Sequence, residues 1–142
     1  MKTLRTLLIG VALFTVCTAA KATIHTDEAT MSKNFAINTY IDAMTHGKSA
    51  GMKEVLDPTV KISMLRGKQV VSFSKKEMLD FLETTKNVEQ VCTTNSQVIE
   101  NDANQSVVKV DMKFDGFVRT NYVTLANTGN GWKIINVYSV FK

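Results

Sequence analysis

The first apolar feature of the chain is a run, not a period. Leu7, Leu8, Ile9, Val11, Ala12, Leu13, Phe14 and Val16 are broken only by Gly10 and Thr15, and Lys2 and Arg5 precede them. About ten such residues are half of the ~20 that a helix needs to cross a ~30 Å hydrocarbon core. Residues 1–22 are therefore predicted to be a removed export signal and not a transmembrane span. Ala20-Lys21-Ala22 offers the small-x-small pattern that puts the cut before Thr23, with Thr18-Ala19-Ala20 as second choice. A lipid anchor on Cys17 would want a small residue before it, and Val16 stands there. The expectation is a soluble periplasmic or secreted protein.

Past this segment the period becomes helical. Phe35, Ile37, Tyr40, Ile41 and Met44 recur at helical spacing up to Gly47, predicting a long first helix after Thr26-Asp27-Glu28, which suits a helix start. Ser49 is expected to cap a short second helix through Leu56, which Pro58 forbids from continuing. The period then falls to two. Val60, Ile62 and Met64 alternate with Lys61, Ser63 and Leu65, and Arg66-Gly67-Lys68 turns the chain into residues 69–73, a hairpin. Ser74-Lys75-Lys76-Glu77 reads as a capping box ahead of Met78, Leu79, Phe81 and Leu82, a third helix. Four strands are predicted to follow at 91–100, 106–114, 117–126 and 132–141, joined by loops rich in Asn, Asp and Gly.

Helices first and a strand meander afterwards predict a single α+β domain over residues 23–142, three helices packed on a curved, mostly antiparallel sheet. In the last strand, simple alternation places Ile134, Tyr138 and Val140 on one face and Ile135, Val137 and Phe141 on the other. Both faces are then partly apolar, and a homodimer through the outer sheet face is the expected cover.

Composition refines this picture. The 142 residues are 44% hydrophobic and 21% charged, enough for one ordinary domain. Three of the 17 basic residues (Lys2, Arg5, Lys21) fall in the export signal, which leaves 14 against 13 acidic and a net charge of +1. Nucleic acid is thereby discounted as a partner. Cys92, the one cysteine after residue 22, has no histidine or basic cluster beside it and is expected to be a packed thiol. His25 and His46 lack further ligands at metal spacing, so no metal or other cofactor is expected. Lys109, Asp111 and Lys113 alternate along what reads as a solvated face, and Met44, Met52, Met64, Met78 and Met112 read chiefly as adaptable core fillers.

The tracts Asn121-Tyr122-Val123-Thr124-Leu125 and Gly131-Trp132-Lys133-Ile134-Ile135, set in this order of elements, resemble the nuclear transport factor 2-like superfamily. Its cystatin-like cone is shared by ketosteroid isomerase and the SnoaL-type polyketide cyclases, and the nearest likeness is to its bacterial lumazine-binding-like group. The resemblance covers nearly all of residues 23–142 and implies a fold more than a chemistry; lumazine is not adopted as the ligand. The isomerase likeness implies more about positions. Tyr40, in Tyr40-Ile41-Asp42-Ala43-Met44-Thr45-His46-Gly47, matches that family's helix tyrosine, Ile62 stands at the position of its general base, and Asn121 falls near its second acid. An isoleucine accepts no proton, and a placed base is worth roughly 10² to 10⁴ in rate. What remains is a pocket with Tyr40 and Asn121 as donors.

The expected function is accordingly an exported domain that binds a small, mostly apolar ligand or another protein without a catalytic residue. The alternative is a small cyclase, isomerase or dehydratase using Tyr40. The expected ligand contacts are Tyr40, Met44, Ile62, Met64, Arg119, Asn121 and Trp132. Arg119 shares the strand face of Asn121, Val123 and Leu125 and is expected to snorkel to solvent in preference to meeting an anion at the cavity mouth.

Overall fold

The computed structural model describes residues 32–142. The export signal with both cleavage sites and Cys17, together with His25 and Thr26-Asp27-Glu28, lies outside the described residues. Helix α1 is Lys33–His46. Its start is set by Ser32, whose extended backbone (φ −79°, ψ 158°) lets the side chain accept from the Phe35 N–H at 3.1 Å. Its end is set by Gly47 at φ 63°, where the N–H turns back to the Asp42 carbonyl. A Cβ at Gly47 would sit 2.5 Å from the Thr85 carbonyl oxygen and 2.6 Å from the Asn87 and Val88 nitrogens. The loop after α3 (Lys75–Thr84) therefore packs directly on a residue that has no side chain.

Helix α2 is only Met52–Val55, and Ser49 is not its cap. Gly51 occupies that position without a side-chain bond, while the Ser49 carbonyl accepts from the Met52 N–H. The chain passes straight into β1 (Leu56–Arg66) and turns into β2 (Gln69–Phe73). The capping box opening α3 is complete: Ser74 Oγ accepts from the Glu77 N–H at 3.3 Å, and Glu77 accepts from the Ser74 N–H at 2.7 Å. Strands β3 (Thr93–Asn101), β4 (Gln105–Lys113), β5 (Val118–Asn127) and β6 (Trp132–Phe141) complete the domain.

All six strands form one sheet in the order β2-β1-β6-β5-β4-β3. Every neighbouring pair is antiparallel except β1–β6, which is parallel and brings the first hairpin beside the last strand. Pro58 lies inside β1, in the irregular stretch between Leu56 and Lys61 where the register against β6 shifts, so its missing N–H breaks no regular ladder. Strand β3 is an edge with all nine residues exposed, and its register against β4 shifts between Val98 and Glu100.

The alternation expected for β6 does not hold. Leu125 faces Ile134 but Thr124 faces Asn136, so Ile135 is the extra residue of a β-bulge. Beyond it the parity reverses: Ile134, Val137 and Ser139 are all buried, whereas Tyr138 and Val140 stand on the opposite, outer face. The core lies between the helices and the other face. It combines Ala36, Ile37, Tyr40 and Ala43 of α1 with Met78 and Leu82 of α3 and with Ile62, Val108, Val110, Met112, Val123, Leu125, Ile134 and Val137 of the sheet.

Candidate functional site

Register places the expected site residues in rows across the helix-covered face. Ile62 pairs with Val137, which pairs with Val123 and then Val108. In the next row Met64 faces Ser139, Ser139 faces Asn121, and Asn121 faces Val110. In the row beyond, Arg119 stands between Phe141 and Met112.

A polar cluster sits in the middle of this apolar wall. Asn121 Oδ1 accepts from Arg119 Nε at 3.0 Å and from Ser139 Oγ at 2.6 Å. Arg119 Nη2 donates to Ser139 Oγ at 3.3 Å, and Asn121 Nδ2 donates to the Val110 carbonyl at 3.3 Å and touches Met112 Sδ at 3.6 Å. Asn121 and Ser139 are fully buried. Arg119 is half-buried, its guanidinium carbon 5.7 Å from the centre of the Phe141 ring. Where free snorkelling was expected, Nε and Nη2 are bonded to the sheet while the side chain stays partly exposed. The bulge on β6 sets the Ser139 hydroxyl opposite Asn121, and these two acceptors hold the guanidinium along the sheet. Among the described residues no carboxylate pairs with it.

Tyr40 is 1% exposed, and its hydroxyl meets no hydrogen-bond partner among the described residues. Burial pushes its pKa up, with the positive charge of Arg119 acting in the opposite direction. The phenol is therefore a neutral donor at physiological pH.

Ile62 and Met64 line a groove of about 390 Å³ between the β1–β2 hairpin and α3, with Phe73, Met78 and Phe81 as further apolar walls and Glu77 and Asp80 on the helix side. Glu77 is held by its cap and Asp80 by Lys76. Two expected contacts stand apart from both features. Met44 is half-buried against the core outside this groove. Trp132, at the opposite end of β6 from Phe141, lies beneath the Lys33 ammonium, 4.4 Å from the ring centre, and Lys33 also bonds Asn101. Trp132 thus belongs to a contact between the start of α1 and the sheet, away from the Arg119 cluster.

Sequence reasoning missed Ser139 because simple alternation puts it on the face opposite Ile134, whereas the bulge brings both to the buried side. It also missed Phe73, which the β1–β2 hairpin sets opposite Ile62, and Phe81, which the docking of α3 brings to the same groove. Elsewhere, Asp111 is more enclosed than a solvated strip requires. It bonds Lys109 Nζ at 2.7 Å and the Thr120 hydroxyl at 2.6 Å, and these bonds hold its carboxyl below the usual range. Cys92 packs half-buried against the core, and burial pushes its thiol pKa up. Among the described residues no group of three His, Cys, Asp or Glu side chains is arranged to hold a metal, and no helix is long and apolar enough to cross a membrane.

Helices that cover one face of a six-stranded sheet, with a buried tyrosine and a polar cluster between the layers, define a cone of the nuclear transport factor 2-like, or cystatin-like, class. A nuclear transport factor 2-like protein of unknown function from Silicibacter pomeroyi superposes with a TM-score of 0.61 at 14% identity, covering 77% of this chain and 90% of that one. A nuclear transport factor 2-like protein "of unknown function in nutrient uptake" from Rhodospirillum rubrum gives 0.58 at 17% identity, covering 75% and 95%. A cystatin-like fold protein from Burkholderia xenovorans gives 0.60 at 14% identity, covering 82% and 94%. At these identities the likeness is one of fold. No functionally curated protein matches the chain. The model of the family described as "Putative lumazine-binding" matches residues 26–139, and the chain belongs to that family.

Proposed function

We propose that this chain is an exported protein that binds a small molecule between its helices and sheet and releases it unchanged. The observation that carries the reading is the Tyr40 hydroxyl, a buried polar group with no partner among the described residues, in a core whose position 62 is apolar. A buried polar group costs stability unless it is paired, so an unpaired one held in a packed core is best accounted for by a partner that arrives with the ligand. Ile62 and Met64 supply apolar contact and cannot move a proton, which supports binding over turnover.

The test is uptake of Nile red, a neutral solvatochromic dye, by the purified protein. A saturable blue shift at one dye per chain supports the reading, and no saturable uptake refutes it. Incubation with a β,γ-unsaturated ketone in D₂O should give no deuterium exchange above buffer; exchange would move the assignment to an isomerase-type enzyme. Export rests on residues 1–22, and intact mass from an exporting host should begin at Thr23. The outer sheet face, where Tyr122 and Tyr138 pair across β5 and β6 beside half-buried Val140, supports a homodimer. Sedimentation should then give twice the mass of one mature chain, and a monomer at tens of micromolar would remove that assignment.

A further inference from the structure

We infer that the ligand is a monocarboxylate with an apolar body, its carboxylate received by Arg119 and its body lying in the groove between the β1–β2 hairpin and α3. This rests on the ligand-binding reading above and specifies its chemistry. A guanidinium has five N–H donors, and Arg119 spends two of them on neutral oxygens within the described residues. Its charge is permanent and half-buried, with no carboxylate among the described residues paired to it.

The acceptors of the cluster, by contrast, are consumed. Asn121 Oδ1 already takes two hydrogen bonds, from Arg119 and Ser139, and the Ser139 hydroxyl both donates to Asn121 and accepts from Arg119. The Tyr40 hydroxyl, which can donate and accept, has no partner among the described residues. The capacity left over is dominated by the N–H groups of a cation, and it selects a head group that accepts and is negative. An amine would add a second cation beside the guanidinium, and an alcohol or an amide, though it could donate to the Tyr40 oxygen, would leave the guanidinium charge unneutralised. A planar two-oxygen anion matches the fork of one guanidinium. A phosphate, with more charge to neutralise, is served less well by a single cation.

Register locates the body of the ligand. Met64 faces Ser139 directly across the β1–β6 ladder, so the groove begins one strand away from the cluster, about 4.8 Å in sheet spacing. Its walls are Ile62, Met64, Phe73, Met78 and Phe81, and its 390 Å³ lies within the usual range of small-molecule pockets. The helix side carries Glu77 and Asp80. Those acids oppose a second carboxylate at that end, so charge fixes both the number of carboxylates and the direction in which the ligand lies.

The test is calorimetric titration of the dimer or monomer as purified with decanoate and with 1-decanol, which share one apolar chain. Decanoate is expected to bind at least about tenfold more tightly, the effect of a charge-assisted hydrogen bond at a partly desolvated site. In Arg119→Gln that advantage should fall below about threefold. Equal affinity for the two probes in the wild type, or an undiminished advantage in a folded Arg119→Gln, overturns the inference, as does inorganic phosphate displacing decanoate at equal concentration. Should Arg119→Gln fail to fold, the wild-type comparison alone decides. Nile red uptake with no binding of either decanoate or 1-decanol overturns the carboxylate assignment and leaves the ligand-binding reading standing; loss of dye uptake as well removes both.

Discussion

Replacing Tyr40 by Phe removes one oxygen atom from a ring that is otherwise packed on all sides. In the unfolded chain that hydroxyl is hydrated, whereas in the folded chain it has lost water and gained no partner among the described residues. A neutral polar group buried in this way costs roughly 1–3 kcal/mol. Against this gain stands the void left by the oxygen, smaller than a methyl group and so worth less than about 1 kcal/mol. The net expectation is that Tyr40→Phe makes the ligand-free protein more stable by about 1 kcal/mol, an unusual sign for a change at a buried position. Urea unfolding followed by the fluorescence of Trp132, the single tryptophan, measures it, after denaturation and refolding to strip any bound molecule. The midpoint should rise with an unchanged slope. With saturating decanoate the order should narrow or reverse, because bound ligand stabilises by RT ln(1 + [L]/Kd) and the variant binds less tightly. A loss of more than about 1 kcal/mol in the ligand-free variant would mean that the hydroxyl has a partner in the folded protein, and the argument from an unpaired donor would fail.

Gly47→Ala should destabilise by roughly 2–4 kcal/mol, combining a left-handed backbone with a Cβ forced into the Thr85–Val88 backbone, and a loss under about 1 kcal/mol by urea unfolding would contradict that packing. Trp132→Ala should cost roughly 1–3 kcal/mol, less than for a fully buried tryptophan, because the ring is half-buried under Lys33; thermal unfolding checks it, with a larger loss placing the ring in the core. The Asp111 carboxyl is held below the ordinary range by Lys109 and Thr120, so its contribution is complete above about pH 4 and drains away as pH falls through the lower folded value. Asp111→Asn should therefore show a shallower decline in urea midpoint between pH 5 and pH 2 than the wild type, and parallel profiles would remove the assigned cause.

Local signals proved readable wherever the determinant was itself local. The period of α1 and its stop at Gly47, and the Ser74–Glu77 capping box, depend on residues within a turn of one another, and both are present. Where a backbone carbonyl could do a side chain's work, as at Ser49 before α2, the propensity of the side chain was a poor guide. The bulge at Ile135 lay beyond pattern reading for a different reason. It is a two-against-one pairing between strands, visible only once β5 is laid against β6, and it reversed the facing of Val137 and Ser139. Strand alternation did place Arg119 and Asn121 on one face, but the fate of the arginine depended on Ser139, twenty residues away. The groove was still less legible, because Phe73 and Phe81 meet Met64 only through a hairpin and a helix docked on β1.

Among the described residues, strand β3 leaves one rail of backbone donors and acceptors unpaired, with Val98 and Ile99 more than half exposed. An open rail of this kind is a template on which another copy can add a strand, and then another, into a growing polymer. The extra residue at Ile99 interrupts the spacing of that template midway and twists its far half, so an incoming strand finds only short matching stretches. Deleting Ile99 would restore an unbroken spacing along the rail and remove the feature that breaks its match to an incoming strand.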